Sequence, residues 1–255
     1  MSALELIEVT TDAPARAVFT TRRGGTSEGR YAGLNLGADT GDRPEAVRAN
    51  RSLLCAELGL AAERVSMVRQ VHGAEVRRID APSRPGRFTG GLRGWPEGDG
   101  LASRAPGLGL AVLGADCLPV LLWRRDEPAA AAAHAGWRGL VGGVVGRAVV
   151  ELGEPGRLGA AVGPGIGPCC YPVSAEVRDR FTAAFGEGVV RGAAVDLAAA
   201  ARAALVGAGV PAGAVQVVGA CTSCEADRLY SYRRDGAACG RQAGVVWALA
   251  REPAR

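Results

Sequence analysis

The sequence predicts an α/β fold, on the evidence of its apolar pattern and its composition. Short apolar runs bounded by glycine and proline alternate with longer segments in which apolar residues recur at helical spacing, so that strand–loop–helix units follow one another. Apolar residues make up 48% of the chain and charged residues 22%, as in an ordinary globular protein. The 255 residues fit one large domain or two small ones, with ample core in either case.

The strand predictions rest on apolar runs that end at turn residues. They cover residues 15–21, 66–76, 110–113, 118–123, 129–133, 158–162, 215–220 and 245–249. The alanine run 129–133 favours a helix by propensity. Five residues between Pro128 and His134 are too few for a useful helix, so we predict a strand there.

The helix predictions rest on apolar periodicity next to capping residues. They cover residues 44–59, 140–152, 174–185 and 196–209. Asp42, Ser174 and Asp196 are placed to cap three of these helices, and Gly59 is placed to end the first. Residues 81–96 are rich in Pro, Gly and Arg and predict a long surface loop.

The charged residues exclude several classes of function. All 30 basic residues are arginine, which excludes a lysine Schiff base and a Walker-type phosphate loop. The formal charge of +4 is dispersed, because no basic run exceeds two residues. Where basic residues are adjacent, they form only pairs of arginines. Isolated pairs suit a small anion better than a nucleic acid, so we expect no nucleic-acid partner.

The N-terminal residues and the cysteines predict a cytoplasmic protein. The first eight residues are acidic and lack the apolar core of an export signal, and no apolar run approaches the roughly 18–20 residues of a membrane helix. We therefore expect no membrane association. Seven cysteines are an odd number, which argues against a disulfide framework.

A candidate metal site is indicated by the scarcity of histidine. The only two histidines are His72 and His134, and Cys117 interrupts the apolar frame that leads to His134. Two imidazoles and one thiolate from separate elements suit zinc and leave a fourth position open, as in catalytic sites. The alternative is two satisfied core histidines and an inert buried cysteine.

Several loops carry further candidates. Arg22 lies in a glycine turn whose N–H groups and guanidinium suit an anion, although an exposed hairpin turn explains the spacing equally well. Gln70 lies two residues before His72, on the same face of the predicted strand, where it could bind substrate or orient a ligand. A rigid loop, residues 163–172, presents Cys169, Cys170 and Tyr171.

Cys221 and Cys224 form a C-x-x-C motif after a predicted strand, which is typical of a redox pair or half a zinc site. No second C-x-x-C follows, and both histidines are already used. We therefore expect neither role for this motif.

Motifs along nearly the whole chain together resemble the YfiH-type laccase-domain family, also called multicopper polyphenol oxidase-like and peptidoglycan editing factor. They are Thr21-Arg22 with Gly24-Gly25, Leu34-Asn-Leu-Gly37, Arg69-Gln-Val-His-Gly73, Asp99-Gly100, Ala115-Asp-Cys-Leu-Pro-Val-Leu121, Ala133-His-Ala-Gly-Trp-Arg-Gly139, Gly163-Pro164 through Cys170-Tyr171, Cys221-Thr222, Ser231-Tyr-Arg-Arg-Asp-Gly236 and Gly240-Arg241. Cys224 lies outside the family's pattern.

The resemblance implies a single domain over residues 1–255 with a layered α/β/β/α arrangement and mixed sheets. It implies one zinc ion at His72, Cys117 and His134, and purine nucleosides and phosphate as partners. The implied reactions are phosphorolysis of adenosine, inosine and methylthioadenosine, with some adenosine deamination. Copper is the less suitable metal, because two histidines cannot supply a multicopper cluster.

Phosphorolysis needs cations for phosphate and an acid for the departing purine. The anion candidates are Arg22, Arg138 and Arg233, and Asn35 and Tyr171 are further substrate-binding candidates. Asp116 is the acid–base candidate, since it precedes the Cys117 thiol, although a carboxylate that only orients a histidine is an equal alternative.

Two other classes of function remain open. One is a cysteine hydrolase that edits cell-wall precursors, with Cys117 as nucleophile and His134 as base; Cys117, His134 and Asp116 are thus the catalytic candidates overall. The other is a non-catalytic zinc protein that binds a partner.

Overall fold

The computed structural model describes residues 3–91 and 94–250. Its strands are β1 (Leu6–Val9), β2 (Ala15–Thr20), β3 (Val65–Ser66), β4 (Val76–Arg78), β5 (Gly100–Ser103), β6 (Gly109–Gly114), β7 (Leu118–Arg124), β8 (Ala130–Ala135), β9 (Leu158–Val162), β10 (Val190–Arg191), β11 (Ala194–Val195), β12 (Val215–Val217) and β13 (Gln242–Ala248). Its α-helices are α1 (Pro44–Leu58), α2 (Trp137–Val141), α3 (Val144–Leu152), α4 (Ala175–Phe185), α5 (Leu197–Gly207) and α6 (Tyr232–Asp235).

Two mixed sheets and one short hairpin contain these strands. The first sheet has the order β1-β2-β13-β6-β3, and the second has the order β12-β9-β7-β8-β5-β4. Most neighbours are antiparallel, while β3 runs parallel to β6, β4 to β5 and β12 to β9. The hairpin pairs β10 with β11.

The layer order follows from alternation along the strands. In β7, Leu121 and Trp123 pack between the two sheets, whereas Val120 and Leu122 pack against the helices α3 and α5. In β2, Phe19 faces the second sheet and Val18 faces the layer of α1. Both sheets are thus buried on two faces, and the predicted α/β/β/α arrangement with mixed sheets is confirmed.

Burial on both faces explains why these antiparallel strands read as continuous apolar runs, a pattern more common in parallel sheets. The predicted strand at residues 158–162 matches β9, and the alanine run after Pro128 forms β8. Ser174 and Asp196 cap α4 and α5, each accepting a bond from a backbone N–H in the first turn.

Four expectations differ from the structure. Asp42 does not cap α1; its carboxylate accepts bonds from Ser27 Oγ and the Asn35 amide. The helix expected up to residue 152 is divided into α2 and α3, with Gly143 at φ 84° between them. The strand expected over residues 215–220 ends at residue 217. The run 66–76 forms strand only at its two ends.

The expected surface loop over residues 81–96 has buried anchors. Phe88 and Trp95 pack against α1, and the buried Arg51 donates hydrogen bonds to the carbonyls of Phe88 and Gly90. Residues 92 and 93 of this loop, like the first two residues of the N-terminal segment, lie outside the described residues. Within the described ranges, no helix combines the length and apolar character needed to cross a bilayer.

Candidate active site

The three predicted metal ligands meet where the two sheets are joined. Cys117 lies in the turn that leads from β6 in the first sheet to β7 in the second, and His134 lies in β8, paired with Pro119. His72 lies in the loop between β3 and β4. One donor atom from each side chain lies within 4.8 Å of the others. The structure therefore brings together the set that the sequence predicted.

Asp99 connects both histidines of this set. Its buried carboxylate accepts a hydrogen bond from His134 Nδ1 at 2.9 Å through Oδ1. It also accepts bonds from the N–H groups of His72 at 2.9 Å and Gly73 at 2.6 Å. The hydrogen bond at Nδ1 leaves the lone pair of His134 Nε2 free to bind a metal ion. Carboxylates orient metal-binding histidines in this way. The alternative role considered for Asp116, orienting a histidine, therefore belongs to Asp99.

The charge of Asp99 is stabilised by these contacts. Burial by itself would raise the pKa of Asp99, but the hydrogen bonds from His134, Gly73 and Val71 and the charge of His134 together lower it. The carboxylate is thus ionised at neutral pH. His72, which follows Val71, adopts φ 60°, a left-handed conformation that is uncommon outside glycine, and its N–H bond to Asp99 holds it there.

Cys117 and His134 perturb each other's protonation. Burial raises the pKa of Cys117, but the charges and hydrogen bonds of His134 and His72 outweigh it and lower the pKa to about 6. Burial lowers the pKa of His134, but the Cys117 thiolate and Asp99 raise it to about 9. A thiolate beside imidazoles is both a metal-binding donor set and an activated nucleophile.

Gly136 leaves room for the thiol of Cys117. A Cβ atom on Gly136 would lie 2.6 Å from Cys117 Sγ, closer than any real contact of that kind. The φ of Gly136 is −76°, which any residue can adopt. The need for glycine at the start of α2 is therefore steric and comes from the donor set itself.

A cavity of about 580 Å³ opens over the donor set. This volume is in the range of small-molecule sites. Its lining residues are Asp39, Thr40, Met67, Val68, Gln70, His72, Leu113, Gly114, Ala115, Asp116, Cys117, His134, Trp137, Arg138, Tyr171, Tyr232, Arg233 and Arg241. Eight of the predicted site residues belong to this lining, so most of the candidates share one site.

Asp116 is held by two donors from other segments. Its Oδ1 accepts a hydrogen bond from Thr222 Oγ1 at 2.7 Å, and its Oδ2 accepts one from the N–H of Arg233 at 2.7 Å. These contacts fix the carboxylate at the edge of the turn that carries Cys117. A fixed carboxylate in the cavity suits proton transfer to or from a bound molecule.

Three arginines give the cavity a positive wall. Arg138 and Arg233 are exposed, and their guanidinium groups stack on Trp137 at 4.4 Å and on Tyr171 at 5.0 Å. Arg241 lines the same cavity. Guanidinium groups bind phosphate through paired hydrogen bonds, so this wall suits an anion.

Gln70 and Tyr171 line the cavity as predicted, but with differences. Gln70 is not in a strand; its amide pairs with the backbone of Leu113, donating to the carbonyl and accepting from the N–H, both at 2.8 Å. Burial, with the charge of Cys117, raises the pKa of Tyr171 to about 12. Its phenol is therefore neutral and able to donate a hydrogen bond.

Arg22 does not reach the cavity. Its guanidinium donates to the carbonyls of Ala32 and Ala226 and stacks on Tyr230 at 4.6 Å. The glycine turn signal identified the loop correctly, but a turn signal does not say where its side chains point. Arg22 joins two surface segments instead of facing a ligand.

Asn35 also lies outside the cavity lining. It is fully buried, and its amide oxygen accepts bonds from the N–H groups of Gly37 and Arg241 while its amide nitrogen donates to Asp42 and Thr40. Asn35 thus supports the segment that carries Arg241.

Asp99 and Arg241 were not predicted as site residues. Both lie in motifs of the resemblance, but nothing in the spacing indicated that Asp99 contacts residues 27 and 35 positions away. The expectation for the C-x-x-C motif was also incomplete. Cys221 and Cys224 lie with Cys169 and Cys170 in one group whose sulfurs are within 4.8 Å of each other.

The fold and the site define a mixed α/β protein with a candidate transition-metal centre in an arginine-lined cavity. A family model described as multi-copper polyphenol oxidoreductase laccase matches residues 16–249. The chain belongs to this family, and the resemblance stated from the motifs is confirmed.

Relatives of known name cover nearly the whole chain. A protein of Deinococcus radiodurans named purine nucleoside phosphorylase is 46% identical over an alignment of 242 residues, and the match covers 92% of this chain and 89% of that protein. A protein of Streptomyces coelicolor with the same name is 44% identical, over 90% of this chain and 93% of that protein.

Solved structures share the fold. YlmD from Geobacillus stearothermophilus matches with a TM-score of 0.86 and 34% identity, covering 93% of each chain. A hypothetical protein YfiH of Bacillus licheniformis matches with a TM-score of 0.85 and 29% identity, covering 92% of this chain and 93% of that one.

Proposed function

We propose that this chain is a zinc-dependent purine nucleoside phosphorylase of the cytoplasm. Its proposed substrates are adenosine, inosine and methylthioadenosine with phosphate, and it deaminates adenosine as a side activity. The observation that carries the proposal is a metal-type donor set, a fixed carboxylate and three arginines around one cavity. The names of the relatives support the same reaction.

Zinc fits the donor set on chemical grounds. His72, Cys117 and His134 offer two imidazoles and a thiolate, with Asp99 behind His134 to orient it. Three protein donors leave one position open to a ligand, as in catalytic zinc sites. A zinc ion held by these three residues would supply Lewis acidity to a molecule bound in the cavity. The two histidines are too few for a multicopper centre, so copper is the weaker candidate.

The phosphate is assigned to the arginine wall. In phosphorolysis, a phosphate oxygen forms a bond to C1′ of the ribose while the bond from C1′ to the purine breaks, and the purine gains a proton. Arg138, Arg233 and Arg241 neutralise the phosphate and orient it for this attack.

The purine is assigned to the part of the cavity lined by Tyr171, whose aromatic ring suits packing against a flat base. Asp116 is assigned to the proton transfer that accompanies departure of the purine, because its orientation is fixed by Thr222 and the N–H of Arg233.

Adenosine incubated with and without phosphate tests the proposal. We expect free adenine and ribose 1-phosphate only with phosphate, and a slower formation of inosine in either case. Asp116→Asn should lower kcat for phosphorolysis by about 10²–10⁴-fold. The exposed Asp179→Asn on α4 is the matched control and should leave kcat unchanged. Release of adenine that is independent of phosphate would contradict the proposal.

A second candidate is a cysteine hydrolase acting on cell-wall precursors. Cys117, His134 and Asp99 have the order of nucleophile, base and orienting carboxylate. Metal at the same thiolate would block the nucleophile, so the two candidates respond oppositely to chelation. Hydrolysis of a peptidoglycan fragment that rises when zinc is removed would favour the hydrolase.

A further inference from the structure

Four cysteines form a second group of donors outside the active-site set. Cys169 and Cys170 lie in the loop before α4, and Cys221 and Cys224 follow β12. The Sγ atom of Cys169 is 3.7 Å from that of Cys221 and 3.6 Å from that of Cys224. The Sγ atoms of Cys170 and Cys224 are 3.5 Å apart. All four are free thiols, and they come from segments more than 50 residues apart.

These separations match a tetrahedral metal site. With zinc–sulfur bonds of about 2.3 Å, the sulfurs at the corners of the tetrahedron are about 3.8 Å apart. Burial does not explain the convergence, because Cys169 and Cys224 are exposed and Cys170 and Cys221 only partly buried. Thiols that converge at the surface without gaining burial need another reason to be together.

The backbone around the group is arranged for it. The N–H of Gly167 donates to Cys221 Sγ at 3.2 Å, a contact that stabilises thiolates at metal centres. A Cβ on Gly167 would lie 3.3 Å from Cys169 Sγ and from Cys221 Cβ. The absence of a side chain at Gly167 therefore lets the backbone of this loop lie close to both cysteines. Gly165 pairs with Cys221 in an isolated bridge, which aligns the two segments.

We propose that Cys169, Cys170, Cys221 and Cys224 bind a second zinc ion in a closed tetrathiolate site. Four thiolates without oxygen or imidazole donors suit zinc at a structural position. Four protein ligands leave no position for a substrate, so this ion has a structural role and is separate from the ion proposed at His72, Cys117 and His134.

The ion joins two segments that reach the active site. Tyr171, which lines the cavity, follows Cys170 directly in the chain. Thr222, which lies inside the C-x-x-C motif, donates the hydrogen bond to Asp116 Oδ1. The tetrathiolate site therefore holds in place one wall of the cavity and one support of the proposed acid–base carboxylate, and its four cysteines are positioning residues.

Metal analysis of the purified protein tests this inference independently of nucleoside turnover. We expect about two zinc equivalents per chain in the parent. Cys117→Ala should retain about one equivalent at the four thiols, and Cys224→Ser should retain about one at the active site. Cys55→Ala, which removes a buried thiol of α1, is the matched control and should retain both.

Cobalt substitution identifies the donors directly. In Cys117→Ala, cobalt should give the intense sulfur-to-metal absorption and the tetrahedral d–d bands of a four-thiolate site. Cys224→His should keep the second ion, because three thiolates and one imidazole also bind zinc tetrahedrally. This variant therefore distinguishes the loss of a metal ligand in Cys224→Ser from a loss of metal through misfolding.

Three results would overturn the inference. They are a single zinc equivalent in the parent that disappears in Cys117→Ala, full retention of both ions in Cys224→Ser, and iron instead of zinc at the four thiols. The first two leave the active-site proposal intact, so the two proposals fail separately.

Discussion

Asp99 contacts both histidine segments of the donor set, which makes it the residue on which ligand orientation depends most directly. Asp99→Asn replaces an ionised acceptor with an amide that bonds His134 Nδ1 less strongly. Because orienting partners of this kind contribute about 10–100-fold to metal affinity, we expect a loss of that size for zinc in competition with a chelator. Asp179→Asn is the control. An unchanged zinc affinity in Asp99→Asn would contradict the orienting role of Asp99.

The same residue makes the free energy of unfolding depend on pH in the acid range. Hydrogen bonds lower the pKa of Asp99 below the value of about 3.9 that Asp has in an unfolded chain. Its contribution to the free energy of unfolding is therefore fully present above about pH 4 and is lost as the pH falls through the folded pKa. Chemical denaturation of the metal-free protein between about pH 5 and 3 should show a shallower loss of stability in Asp99→Asn than in the parent.

The arginines separate into structural and ligand-facing residues. Arg138→Ala should raise the KM for phosphate about tenfold or more, because a charge-assisted hydrogen bond contributes roughly 1.5–3 kcal/mol. Arg22→Ala should leave that KM within a few-fold and instead lower the melting temperature, because its guanidinium bonds the carbonyls of Ala32 and Ala226. Steady-state kinetics with varied phosphate separates the two. A larger increase in the KM for phosphate in Arg22→Ala than in Arg138→Ala would indicate that phosphate binds at the glycine turn instead.

Residue identity predicted the donor set better than the substrate contacts. His72 and His134 were predictable because the chain has no other histidine, and the metal-binding chemistry of Cys117 is specific. The orientations of Arg22 and Asn35 depend on packing between distant segments, which spacing does not encode. The cluster of four cysteines was not predicted, because the pair Cys169–Cys170 and the pair Cys221–Cys224 come together only in the folded chain.

At the scale of elements, α2 begins against the donor set. Gly136→Ala should displace Cys117 Sγ, because the new Cβ would lie 2.6 Å from it. We expect zinc at the active site to fall well below one equivalent while the circular dichroism spectrum is retained. Gly146→Ala on α3 is the matched control, since no atom lies within 4 Å of its Cβ. It should stabilise the protein by about 0.4–1 kcal/mol.

The elements themselves were largely predictable from local patterns. β9 is a continuous apolar run, and α4 and α5 each begin at a capping side chain, as their local sequences predicted. The extent of the strand β12 and the division between α2 and α3 depend on tertiary contacts. The loop around Phe88 has a polar composition, and its burial depends on carbonyls that bond Arg51 from another segment.

At the scale of the whole molecule, the two sheets are held together by the layer that contains Leu121 and Trp123. Leu121→Ala should lower the free energy of unfolding by about 2–5 kcal/mol, as measured by denaturant titration, because the side chain is fully buried. Val150→Ala on α3 is the comparison, since Val150 is 78% exposed, and it should change stability by no more than about 0.5 kcal/mol. Equal effects would mean that the sheet interface does not limit stability.

The position of β13 has a consequence for synthesis on the ribosome. β13 follows every other strand of the described residues, yet it lies between β2 and β6, and its Gln242 pairs with Gly114 at the start of the turn that carries Cys117. A nascent chain that has emerged as far as β12 thus has both histidines outside the ribosome but an incomplete first sheet. Metal capture at the active site should consequently be a late event of biogenesis, after residues 242–248 have left the exit tunnel.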